Sequence, residues 1–98
     1  MLKTTELLDL ARERQGGVSD YRLAQLLKVD QTSVSNYRTG RSSPKNPVAM
    51  RLAELCELDP AEVMTWVNIE RATTPEERSA WEVMLQRVSR TSRAKKAS

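Results

Sequence analysis

Ninety-eight residues make one domain, with room for a modest core and little to spare. The chain carries 16 Lys and Arg against 13 Asp and Glu, a net charge of +3, and contains neither His nor Phe. The core must therefore come mostly from Leu, Val, Ala and Met, and the charge leans mildly toward polyanionic partners. One Cys, no metal-ligand spacing, no phosphate-cradling Gly loop and no nucleophile set beside a base argue against an enzyme, a cofactor or a bound metal.

The first predicted helix begins at Thr4 or Thr5 as cap, turns Leu7, Leu8 and Ala11 inward, and ends at Gly16-Gly17. A second starts at Ser19, an N-cap residue type, with Leu23, Ala24 and Leu27 on one face. Ala24 is small, as a steep crossing of two helices requires. A tight turn follows at Lys28-Val29, where Val29 fills the space between the helices. Asp30 then caps a third helix, Gln31 to Arg38, with only Val34 and Tyr37 directed inward. Its other side chains are Gln31, Thr32, Ser33, Ser35, Asn36 and Arg38. That helix is too polar for a core element and too rich in amides and hydroxyls for an ordinary solvated face. Leu and Ala at helical spacing describe any small bundle. Val29, Asp30, Val34 and Gly40 at fixed offsets make the pattern specific.

Thr39-Gly40 ends the third helix, and the two Pro residues of RSSPKNP bar continuation. Asn46 is expected to cap a fourth helix with Pro47 at its first position, carrying the stripe Val48, Leu52, Leu55, Cys56. Asp59-Pro60-Ala61-Glu62 reads as a capping box and opens a fifth helix with Val63, Trp66 and Val67 on one face. Thr74-Pro75-Glu76-Glu77 repeats the signature and opens a sixth with Trp81, Met84, Leu85 and Val88 at helical spacing. No stretch reads as strand. The fold class is all-α: a helix-turn-helix domain over 1–72 (motif 19–40), a C-terminal helix over 73–91, and a basic tail over 92–98 expected to be disordered.

Leu23, Ala24, Leu27, Val29, Val34 and Ser35 together resemble the helix-turn-helix of Cro- and repressor-type regulators. The resemblance runs from Thr5 to about Leu58. More narrowly, LLDLAR, SDYRLAQLL, VSNYRTGR and RLAELCELDPAEV are similar to small phage and prophage regulators, filamentous ones among them. The resemblance implies a five-helix, lambda-repressor-like DNA-binding domain with an additional C-terminal helix. One departure is Lys28, where the family usually has Gly. Positive φ at that position costs Lys on the order of 1 kcal/mol.

The same resemblance implies site roles. Exposed early positions of the recognition helix meet base edges: Gln31, Thr32, Ser35 and Asn36, with Arg38 further along on a base or a phosphate. Gln and Asn amides pair with adenine, and a Thr methyl touches a thymine methyl. Ser19 and Tyr21 at a helix start suit phosphate. Lys28, Ser33, Arg41, Ser43, Lys45 and Asn46 complete the expected backbone clamp. Asp20 is a second departure, since an acid beside phosphate repels unless it turns away to cap its helix.

The charge distribution agrees with a polyanionic partner. From Lys28 to Lys45 there are four cations and one acid; from Arg87 to Lys96 there are five cations and no acid. That basic end either holds phosphates or is simply a solvated tail. Trp81, Met84, Leu85 and Val88, with Trp66, either pack within the chain or form a dimer interface, because periodicity does not say what a stripe packs against. Regulators of this class place two recognition helices about 34 Å apart on a palindrome, which favours a homodimer. Cys56 reads as a small core residue, and Glu76 and Glu77 as acids favoured by a helix dipole.

Three readings stay open. The first is a repressor binding a palindromic operator in double-stranded DNA as a dimer. The second is an antitoxin or adaptor that binds an unknown protein partner and regulates its own operon. The third is a purely protein-binding bundle. A lone Cys fits a reducing compartment, acids and Arg interrupt the N-terminus against a signal peptide, and no apolar run reaches membrane length. A cytoplasmic protein with no membrane partner is expected.

Overall fold

The computed structural model describes the backbone of residues 1–97 and the side chains of residues 1–91. Six helices follow one another: α1 (Thr4–Arg14), α2 (Asp20–Leu27), α3 (Gln31–Thr39), α4 (Asn46–Cys56), α5 (Pro60–Arg71) and α6 (Pro75–Ala97). Among the described residues there is no strand, and the all-α reading holds. No helix is long and apolar enough to cross a membrane among the described residues. The tail expected from 92 continues α6 as far as Ala97; its side chains and all of Ser98 lie outside the described residues.

Several helix boundaries have a local cause. Gly16 and Gly17 take positive φ after α1, and the Gly17 amide returns to the Arg12 carbonyl at 2.8 Å, closing the helix with left-handed residues. Ser19 Oγ accepts the Arg22 amide at 3.2 Å and starts α2. Asp59 Oδ1 accepts from the Ala61 and Glu62 amides and starts α5. Thr74 Oγ1 accepts from Glu77 N and starts α6.

Two expected caps fall elsewhere. The N-cap of α1 is Lys3, whose amide donates to Glu6 Oε1 at 2.9 Å. Thr4 is already helical and buried, its hydroxyl bonded to the Glu70 carboxylate near the end of α5. Lys45 takes the N-cap position of α4, and the Asn46 side-chain oxygen instead accepts from Asn68 Nδ2 at 3.1 Å. In both cases a distant α5 side chain outcompetes the local cap. At α3, Asp30 holds the N-cap position as expected, but its side chain makes no cap bond.

The core is built by α1–α5. Leu7, Leu8, Leu23, Leu27, Val34, Leu52, Val63 and Val67 are fully buried, and Ala11, Ala24, Ala49 and Ala53 let the helices approach closely. Full burial of a large apolar side chain contributes about 1.5–3 kcal/mol, so these residues dominate the stability. On α4 the stripe is centred on Ala49, Leu52, Ala53 and Cys56, with Val48 and Leu55 at its edges. The Cys56 thiol donates to the Leu7 carbonyl at 3.2 Å, and burial pushes its pKa up to about 11. α6 lies along α5, its principal neighbour.

Candidate nucleic-acid interface

α2 and α3 form the helix-turn-helix, and the turn closes as a Schellman motif. Lys28 sits at φ 61° and ψ 44°, its amide returns to Gln25 O at 3.1 Å, and the Val29 amide returns to Ala24 O at 3.0 Å. Val29 packs against the core at the corner. Arg51 of α4 donates to the Leu27 carbonyl at the end of α2, fixing the turn from behind. Lys28 itself is exposed. The left-handed residue expected from the sequence is present, with Lys in place of Gly.

α3 buries Val34 and Tyr37 and turns its polar residues outward. Gln31, Thr32 and Ser35 are exposed, while Ser33 and Asn36 are half-buried. Residues four apart are neighbours on a helix surface, so Gln31 with Ser35, and Thr32 with Asn36, form two adjacent rows. Among the described residues, none of these four side chains has a hydrogen-bond partner within the protein. The face therefore presents amides and hydroxyls committed to nothing inside the fold.

Arg38, expected on a base or a phosphate, is engaged by carboxylates within the protein. Its Nε and Nη2 bind both oxygens of Asp20 at 2.8 and 2.9 Å, and its Nη1 binds Asp9 Oδ1 at 2.8 Å. Arg12 joins the cluster, with Nε 3.8 Å from Asp20 Oδ1 and a 2.7 Å bond to the Val18 carbonyl. The hydrogen bond from Arg38 holds the Asp20 carboxyl below its ordinary range against the opposing effect of burial, and Arg12 adds to the lowering. The same pairing raises the Arg38 pKa. A guanidinium held by two carboxylates is a strut between α1, α2 and the far end of α3. It fixes α3 against α1 and α2, and it neutralises the Asp20 charge. Asp20 does not cap α2; Ser19 does.

The remaining expected contacts surround α3. Tyr21 is exposed on the first turn of α2. Arg41 and Lys45 are exposed in the loop after α3, Ser43 is half-buried, and Pro44 between them is fully buried. Pro44 anchors that loop, a role the sequence reading did not assign. Asn46 is drawn toward α5 by Asn68, which occupies its oxygen. Asp9 and Arg12 were also missed. Their only sequence signal is a pair of opposite charges three residues apart on α1, and their partners come from other helices.

The residues considered for a dimer interface separate. Trp66 packs against the core of its own chain. Trp81, Leu85 and Val88 are half-buried, and Met84 remains exposed. No group of three or more Cys, Asp or Glu could hold a metal among the described residues.

The helix-turn-helix domain family matches residues 5–66, from α1 through most of α5 and including the whole α2–turn–α3 unit. No curated protein and no solved structure matches the chain at a significant level. The family match covers well over half of the chain, and together with the left-handed turn and the polar outer face of α3 it shows that this protein belongs to the helix-turn-helix domain family.

Proposed function

We propose that this protein is a sequence-specific double-stranded DNA-binding transcriptional regulator. It acts as a repressor of the phage or prophage kind, binding a palindromic operator as a homodimer. The observation that carries the reading is the outer face of α3, where Gln31, Thr32, Ser35 and Asn36 lack internal partners and carry the groups that read base edges in the major groove. Ser19, Tyr21, Lys28, Ser33, Arg41, Ser43 and Lys45 supply the phosphate clamp around it. Occlusion of a promoter needs only this grip, which residues 1–72 provide, while 73–91 join two copies.

The test is selection of bound duplexes from random DNA, followed by variants on the selected site. Enrichment of an inverted repeat is expected. Gln31→Ala or Asn36→Ala should cost about 1–3 kcal/mol on that site and much less on random DNA. Arg41→Ala or Lys45→Ala should weaken binding to all sequences alike and reduce the salt dependence. Failure to enrich any sequence at low salt overturns the reading.

A further inference from the structure

α6 covers α5 with only one of its faces. Trp81, Leu85, Val88 and Ser89 are half-buried, whereas Val83 and Met84 remain 46% and 43% exposed. At 3.6 residues per turn, Glu76, Ala80, Val83, Met84 and Arg87 fall on one flank of α6, which meets the covered row where Met84 lies beside Val88. Apolar surface thus continues from the covered row onto an open flank. Ser79, Glu82 and Gln86 form the polar side of the helix, and Arg90 stands next to Val83 at the edge of the open flank.

Charge along that flank has a clear polarity, while Arg78 and Glu82 fall on the other side of the helix. Glu76 and Glu77 stand in its first turn, while Arg87 and Arg90 follow the apolar stretch. Glu77 and Arg87 are separated by about 15 Å along the axis. Two copies of α6 laid parallel would set acid on acid and arginine on arginine. Laid antiparallel and crossing at Ala80–Met84, each copy brings Glu76 and Glu77 toward Arg87 and Arg90 of the other. Such a surface is complementary to itself under a two-fold axis, as an isologous interface requires.

We propose that the open flank of α6 is the seam of the homodimer, packed antiparallel on the α6 of a second copy. Val83 and Met84 lie at the crossing, with glutamate–arginine pairs at both ends. This rests on the dimeric reading given above and adds to it the surface, the orientation and the residues that select it. The partner is a second copy rather than another protein because the charge pattern that fits α6 is that of α6 reversed.

The experiment is sedimentation equilibrium of the full chain at low ionic strength, with a thermal melt of each variant. E76R/E77R should weaken the dimer about tenfold or more, since four favourable contacts per dimer become unfavourable. R87E/R90E should do the same without touching the α6 cap, where Glu77 accepts from Thr73. The combined variant E76R/E77R/R87E/R90E should recover most of the wild-type affinity. A parallel pair predicts no loss from either swap, because its like charges stay alike. A wild-type dimer indifferent to all three variants overturns the antiparallel seam and leaves the dimer standing. A wild-type chain that stays monomeric at high micromolar concentration overturns both.

Discussion

The five-helix body is richer in large apolar residues than α6, and the two use them differently. In α1–α5 the apolar stripes of five helices converge, and residues such as Leu7, Leu23 and Leu52 lose all contact with solvent. None of the described side chains of α6 is buried to that degree. Trp81, Leu85 and Val88 each give up part of their surface to α5, and Val83 and Met84 give up less. A helix that meets one neighbour buries one row of side chains, whereas a helix surrounded by three buries most of its apolar arc. The body therefore closes its own core, and α6 keeps apolar surface exposed.

The sharpest way to break this comparison is to truncate one residue in each region. Leu52→Ala removes a fully buried side chain from the centre of α4 and should cost about 2–5 kcal/mol, a large part of the stability of a domain this size. Met84→Ala should change the stability of the monomer by less than about 0.5 kcal/mol while weakening self-association. Denaturant melts at low concentration, paired with sedimentation, separate the two quantities. A Met84→Ala monomer as damaged as Leu52→Ala would mean that α6 belongs to the body.

The recognition helix is held to the body by ions as well as by apolar contact, which gives an intermediate effect. Asp20 has its carboxyl pKa lowered below the ordinary 3.8. A depressed carboxyl adds stability that is complete above the unfolded value and is lost as pH falls through the folded one. Melting temperature should thus drop more steeply below about pH 4 in the wild type than in Asp20→Asn. At neutral pH, Asp20→Asn should cost about 1–2 kcal/mol, discounted because the cluster is partly exposed. Arg38→Met should loosen α3 and weaken operator binding with little loss of fold. An acid limb identical in the wild type and Asp20→Asn would show that Arg38 does not depend on this carboxylate.

Much of this was legible in the sequence because it is local. Ser19, Gly40, Asp59 and Thr74 mark helix ends through bonds made within a few residues, and Lys28 stands where the turn geometry demands positive φ. What was not legible depends on residues far apart in the chain. Thr4 and Asn46 read as caps until Glu70 and Asn68 of α5 engage their side chains. Arg38 reads as a contact to a base or a phosphate, and nothing local announces the carboxylates from α1 and α2 that reach it. Ile69 and Pro44 are buried by tertiary neighbours that no local periodicity announces. The polar face of α3 was readable because its residues make no such long-range commitments.

The smallest effect lies within the body, in two turns of nearly identical geometry. Lys28 ends α2 at φ 61° and Glu57 ends α4 at φ 60°. The next amides, of Val29 and Leu58, return to Ala24 O and Ala53 O at 3.0 and 2.9 Å, and both side chains pack on the core. A side chain in this left-handed region costs on the order of 1 kcal/mol, and glycine relieves it while giving back part of the gain through a freer unfolded chain. Lys28→Gly and Glu57→Gly should therefore each raise stability by up to about 1 kcal/mol. The Arg14–Glu57 pair lost in the second variant is 3.6 Å apart and well exposed, so it subtracts little. The two turns differ in where they sit. Lys28 adjoins the recognition helix as an exposed cation, whereas Glu57 precedes α5. Only Lys28→Gly should weaken DNA binding, and it should do so for cognate and random duplexes alike, with the salt slope falling by about two, one for each copy in the dimer. A lower melting temperature in both variants would remove strain as the explanation of these turns. Equal DNA affinity in both would remove Lys28 from the phosphate clamp.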